Sequence, residues 1–168
     1  MNGLAAALIL LVTSTAAGAA VDQPTESVLA QSINIAAGEL GAKGACLNEN
    51  PLAITTESSG ADPIASLLAS VPPDPGTVAP AVWSLSQTRK TLRSIRKGGL
   101  YSGLPLAATN PKCRTTISIE PPRASKNAFA VRVALRVNSS IIQRAYLFTN
   151  QGNHVKVVAK TPEEIIVS

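Results

Sequence analysis

The stretch Ala128-Phe129-Ala130-Val131-Arg132-Val133-Ala134-Leu135-Arg136-Val137 decides the fold. Its bulky apolar residues recur at every second position, which is the side-chain period of an extended strand. Phe129, Val131, Val133, Leu135 and Val137 share one face, read as core. Ala128, Ala130, Arg132, Ala134 and Arg136 share the other, read as meeting solvent or a partner. Alternation continues on both sides. Downstream, Asn138-Ser139-Ser140 reads as a turn, and Ile141–Thr149 and His154–Lys160 flank the hairpin signal Asn150-Gln151-Gly152-Asn153. Glu163–Ser168 adds a last short strand. Upstream, Thr115–Glu120 alternates, and Pro121-Pro122 is expected to turn the chain. Residues 113–168 thus predict an antiparallel meander of four or five strands, or half of an immunoglobulin-like β-sandwich.

Helical signals precede this β region, so the expected class is α+β: an N-terminal helical and irregular region, then a C-terminal antiparallel sheet or sandwich. Ala81–Lys97 is the strongest helix, with Val82, Leu85, Leu92 and Ile95 on one stripe and Gly98-Gly99 as its stop. Asp62-Pro63 places an N-cap and an N1 proline before Ile64, Leu67 and Leu68. Ser27–Ala37 suits a short helix that Gly38, Gly41 and Gly44 interrupt. Pro72-Pro73-Asp74-Pro75-Gly76 reads as a semi-rigid linker. The expected organisation is a leader over 1–20, an acidic, partly irregular and mobile region over 21–80, and a basic helix with the β-domain over 81–168.

Met1–Ala20 has the form of a secretory signal peptide: Leu4–Val12 is apolar and a small-residue tract follows. No Lys or Arg precedes the apolar run, so only the terminal amine supplies the usual positive charge. The run is also too short for a bilayer, which takes about 20 apolar residues. The expected location is secreted or periplasmic. In such an oxidising compartment the two cysteines, Cys46 and Cys113, are expected to pair.

Charge is segregated. Residues 21–80 hold seven acids and Lys43, whereas residues 81–168 hold fourteen bases and three acids. Either the basic half is an interaction surface, or the acidic half folds against it and screens it. The densest cluster is Arg89, Lys90, Arg93, Arg96 and Lys97 on the Ala81–Lys97 helix. There the cations also suit the negative end of the helix dipole.

The residue inventory argues against several chemistries. A single His and two isolated Cys offer no metal-ligand spacing, and no glycine-rich loop opens a helix to cradle phosphate. Neither a metal nor a cofactor is expected. Nucleophilic catalysis would fall to His154, read as an exposed turn residue beside Gly152. Adjacent Glu163-Glu164 would point to opposite faces of a strand. Asn138-Ser139-Ser140 is a glycosylation sequon in an expected surface turn.

Within Ile117–Ala159, a Pro followed by an Ala and an Asn precedes a Val-rich strand and then a Leu-containing strand. In this, the stretch loosely resembles the immunoglobulin-like segment of periplasmic sulfur-carrier proteins of thiosulfate oxidation. The resemblance covers about a quarter of the chain and implies only the β-sandwich. The family's carrier cysteine, set in a Gly-rich C-terminal tail, has no counterpart in Ile165-Ile166-Val167-Ser168. The carrier chemistry is therefore not implied.

The expected function is an exported, non-enzymatic binding or envelope-assembly module. It would contact an acidic protein or an anionic envelope component through Arg89, Lys90, Arg93, Arg96, Lys97, Arg132 and Arg136. Nucleic acid is disfavoured by export and by the lack of stacking aromatics beyond Trp83 and Tyr101. The alternatives are a small secreted hydrolase using His154, and an exported virulence factor or inhibitor.

Overall fold

A computed structural model describes residues 24–42, 44–53, 62–71, 81–97, 113–125, 127–151 and 154–167. The expected signal peptide, the 72–76 linker, the Gly98-Gly99 stop and Gly152-Asn153 lie outside the described residues. The elements run α1 (Glu26–Glu39), β1 (Cys46–Leu47), α2 (Pro63–Ala69), β2 (Ala81–Val82), α3 (Leu85–Lys97), β3 (Thr115–Ile119) and β4 (Arg123–Ser125). Four strands follow: β5 (Ala128–Val137), β6 (Ser140–Gln151), β7 (His154–Lys160) and β8 (Glu164–Val167).

All eight strands form one open, mostly antiparallel sheet, so the class is α+β. Its centre is the β5–β6 hairpin, paired in continuous register from Ala128↔Thr149 to Val137↔Ser140. The two-residue connection puts Asn138 at φ 53°, a left-handed conformation that Asn tolerates better than most residues. On the other edge of β5, β4 pairs with its first residues and β3 with its last. These two strands are therefore collinear. Pro121-Pro122 does not reverse the chain as the sequence suggests. Lacking N–H groups, the prolines only interrupt a ladder that resumes in the same direction. Likewise β7 and β8 lie end to end along the outer edge of β6. Beyond β3 and β4 lie β1, parallel to β3, and β2, antiparallel to β4.

Helices cover both faces of this sheet, and the second sheet of a sandwich is not found among the described residues. On one face, Phe129, Val131, Val133, Leu135, Tyr146 and Phe148 pack with Val28, Leu29, Ile33 and Ala36 of α1 and Leu92 and Ile95 of α3. The cross-strand pair Phe129 and Phe148 stacks at 5.3 Å between ring centroids. On the other face, Ile64 and Leu68 of α2 cover Ala128, Ala130, Ala145 and Leu147. The small-residue face of β5 is thus occupied at one end by a helix, because alanines leave room for it.

Local chemistry fixes the helix ends. Thr25 caps α1, its hydroxyl accepting from the Val28 N–H. At the far end Gly41 takes φ 69°, and the Ala42 N–H donates to the Ala37 carbonyl, a Schellman closure. Asp62 caps α2 by accepting from the Ile64 and Ala65 N–H groups, with Pro63 in the first turn. A Cys46–Cys113 disulfide with Cα atoms 6.1 Å apart ties β1 to the approach to β3. Within the expected acidic region, α1 supplies core and β1 extends the sheet.

Candidate functional site

The α3 helix begins at Leu85, four residues later than the periodicity suggests. Ala81 and Val82 instead pair with β4, and Ser84 starts the helix, its hydroxyl accepting from the Gln87 N–H at 3.0 Å. The expected apolar stripe is therefore only half right: Leu92 and Ile95 are buried, whereas Val82 (54% exposed) and Leu85 (45% exposed) are not. Thr88 takes the place expected of Leu85, buried beside Leu92 with its hydroxyl donating to the Ser84 carbonyl.

At about 100° per residue, the buried Thr88, Leu92 and Ile95 centre on one side of α3, Arg93, Ser86 and Lys90 span the opposite side, and Arg89 lies on the flank between them. Arg89, Lys90 and Arg93 are exposed, and no acid occurs from Leu85 to Lys97. Ser86, Arg89, Lys90, Arg93 and Ser94 line an open groove of about 440 Å³. Within that group only Arg93 has a carboxylate partner among the described residues: its Nε lies 3.5 Å from Glu49. Arg96 and Lys97 belong to the same helix, but their side chains lie outside the described set.

Arg132 and Arg136 share a strand face but not an environment. Arg136 is exposed. Arg132 is only 14% exposed and pairs at 3.1 Å with Glu120, which is 5% exposed. Burial raises the Glu120 carboxyl above its ordinary range, an effect the Arg132 and Arg123 guanidiniums offset only in part. Next to this pair, Arg123 is bonded to Asp62. Burial alone would raise the Asp62 carboxyl too, but the Arg123 bond and the Ala65 and Ile64 N–H groups outweigh it and hold it low.

The acidic half folds against the basic half at named points. Glu39 at the end of α1 meets Arg144 and Lys160, Glu49 meets Arg93, and Asp62 meets Arg123. Screening is thus real but local, and it leaves Arg89 and Lys90 without an ion pair among the described residues.

His154 is exposed at the start of β7, and no carboxylate pairs with it among the described residues. Among those residues there is also no group of three or more His, Cys, Asp or Glu placed to hold a metal, and no helix long and apolar enough to cross a membrane. Asn138 is exposed in its turn. The serines of the groove and the Glu49 contact were not legible in the sequence. Ser86 and Ser94 are ordinary helix-surface residues until the fold makes that surface concave. No family model matches the chain, and comparison with curated proteins and with solved structures gives no match either.

Proposed function

We propose that the protein is an exported, non-enzymatic binding module that engages an acidic partner, a protein or an anionic envelope component, through the basic face of α3. One observation carries this reading. Glu39, Glu49 and Asp62 pair with Arg144, Lys160, Arg93 and Arg123, yet Arg89 and Lys90 have no carboxylate partner among the described residues and, with Arg93, stay exposed along a groove on a helix with no acid of its own. Such a surface concentrates anionic partners and speeds their encounter. Arg136 is an accessory contact on the sheet. Arg132 serves the interior through Glu120. Export is supported by the disulfide and by the leader-like sequence of residues 1–20.

The test is retention of residues 21–168 on an immobilised polyanion under a salt gradient. Replacing Arg89, Lys90 and Arg93 with Ser lowers the salt needed for elution well below that of a charge-matched control, Arg114→Ser with Lys156→Ser and Lys160→Ser. Equal elution of the two triple variants would show that only net charge matters and would overturn the reading. Unchanged circular dichroism guards against loss of fold.

A further inference from the structure

We infer that the outer edge of the sheet, the end-to-end strands β7 and β8, pairs antiparallel with the same edge of a second copy of this chain. The backbone comes first. Among the described residues, β6 is the only strand that pairs with β7 or β8, so their far sides carry no ladder. The Thr161 N–H donates to the Ala145 carbonyl at 3.0 Å, which fixes the side of β6 that faces this edge. Strand alternation, with the register shift between Leu147 and Phe148, then turns the backbone groups of Val155, Val157, Lys160, Ile165 and Val167 outward. Such a row is a template for another strand.

The side chains say which strand. From Ile165 to Val167 the edge is apolar and open, with exposures of 63% at Ile165, 42% at Ile166 and 75% at Val167. β7 instead carries Lys156, Lys160 and the register shift, and Pro162 follows it. Charge, bulge and proline are the features that keep unrelated strands off an edge. A partner must therefore bring apolar residues to β8 and an acid to Lys160. The edge itself is such a strand, because Glu163-Glu164 leads into Ile165-Ile166-Val167.

Turned antiparallel about a two-fold axis beside Thr161-Pro162, the edge meets itself. Val157 faces Ile165 of the second copy, Val155 faces its Val167, and Lys160 faces its Glu163. These side chains share one face of the sheet: Val157 is in register with Phe148, Lys160 with Tyr146 and Ile165 with Ile142. Glu163 reaches the same face, where it pairs with Arg144 at 3.0 Å, and Lys160 holds Glu39 at 2.8 Å. Both side chains remain nearly half exposed. Across the boundary they would complete an alternating row, Arg144, Glu163, Lys160, Glu39, so the contact is complementary in charge as well as apolar. Pro162, with no N–H to offer, falls at the axis between the two paired runs. The run Val155–Val167 is shorter than the roughly 20–30 residues a side of a standard interface, so the dimer is weak and concentration-dependent.

The experiment is analytical ultracentrifugation of residues 21–168, which keep every described element, over a dilution series. The expected result is a monomer–dimer equilibrium with a Kd on the order of 100 μM. Ile165→Pro removes an outward N–H that the ladder to β6 does not use, and should raise that Kd at least about tenfold. Lys160→Glu and Glu163→Lys should each do the same alone, because like charges then face each other across the boundary. Mixing those two variants should restore dimers as heterodimers. The rescue should vanish when both chains also carry Ile165→Pro, which separates edge pairing from attraction between differently charged proteins. Urea midpoints show that each variant is folded. A monomer at every concentration up to about 1 mM would overturn the inference, as would a dimer indifferent to Ile165→Pro or a mixture without rescue. Amide exchange at Ile165 and Val167 should slow only as concentration rises. Slow exchange already in the dilute monomer would mean that another segment of the chain covers the edge, and would overturn it too.

Discussion

Glu120 and Asp62 are carboxylates that share Arg123 as a neighbour and whose titrations work in opposite directions. Glu120 binds its proton more readily in the folded chain, because burial outweighs the nearby guanidiniums. Its contribution to stability is therefore full below the ordinary value of 4.5 and is lost as pH rises through the higher folded value. Asp62 is held low by Arg123 and two N–H groups, so its contribution is full above 3.8 and is lost as pH falls through the lower folded value. Urea unfolding should accordingly show wild type gaining on Glu120→Gln as pH drops from neutral to 4.5. Against Asp62→Asn it should lose ground only below 3.8. A gap between wild type and Glu120→Gln that does not move with pH would contradict a carboxyl raised by burial. The Glu120–Arg132 pair predicts a further result. Arg132→Met alone strands a buried carboxylate and costs about 3 kcal/mol, whereas the same change with Glu120→Gln costs clearly less. At Asn138, φ 53° predicts that Gly is tolerated and that Val destabilises by about 1–2 kcal/mol, read from denaturant midpoints.

Among the elements, strands were more legible than helix boundaries, and the reason is physical. In β5 the two-residue period is enforced by a core on one face, and β7 runs over the expected His154–Lys160. The α3 start was not legible because Val82 and Leu85 satisfy a helical stripe while staying exposed, and Thr88 satisfies its hydroxyl inside the helix. Pro121-Pro122 misled for a similar reason. A proline pair says that a ladder breaks, not whether the chain then reverses. The groove was half legible: its cations stand out in the sequence, but its serines and the Glu49 contact depend on long-range packing. The Cys46–Cys113 bond joins β1 to the β3 approach across 67 positions. Closing such a loop is worth about 4 kcal/mol in the chain-entropy model. Replacing both cysteines with Ala should lower unfolding free energy by about that amount. The loss should fall on β1 and β3 first, as earlier amide exchange at Leu47 and Ile117. Uniform exchange across the sheet would argue against a local tie.

Across the whole molecule, the net charge of +5 is less informative than its distribution. Among the described residues of the acidic half, α1 and α2 pack into the core, and Glu39, Glu49 and Asp62 meet bases of the C-terminal half at Arg93, Arg123, Arg144 and Lys160. The most exposed of these, Lys160 with Glu39, is of a kind that adds little stability, typically under about 1 kcal/mol. The larger effect of these contacts is on the distribution of charge: they pair bases of the sheet with acids and leave Arg89 and Lys90 of α3 without an ion pair among the described residues. Raising salt should therefore weaken ligand binding far more than it shifts the unfolding midpoint. The most direct measurement is a backbone amide titration by NMR with dextran sulfate oligomers. Shifts should concentrate at Ser86–Ser94 and Glu49 while the β5–β6 amides stay still. Shifts centred on β5 or β7, or spread evenly over every exposed base, would contradict the assignment of α3 as the binding face.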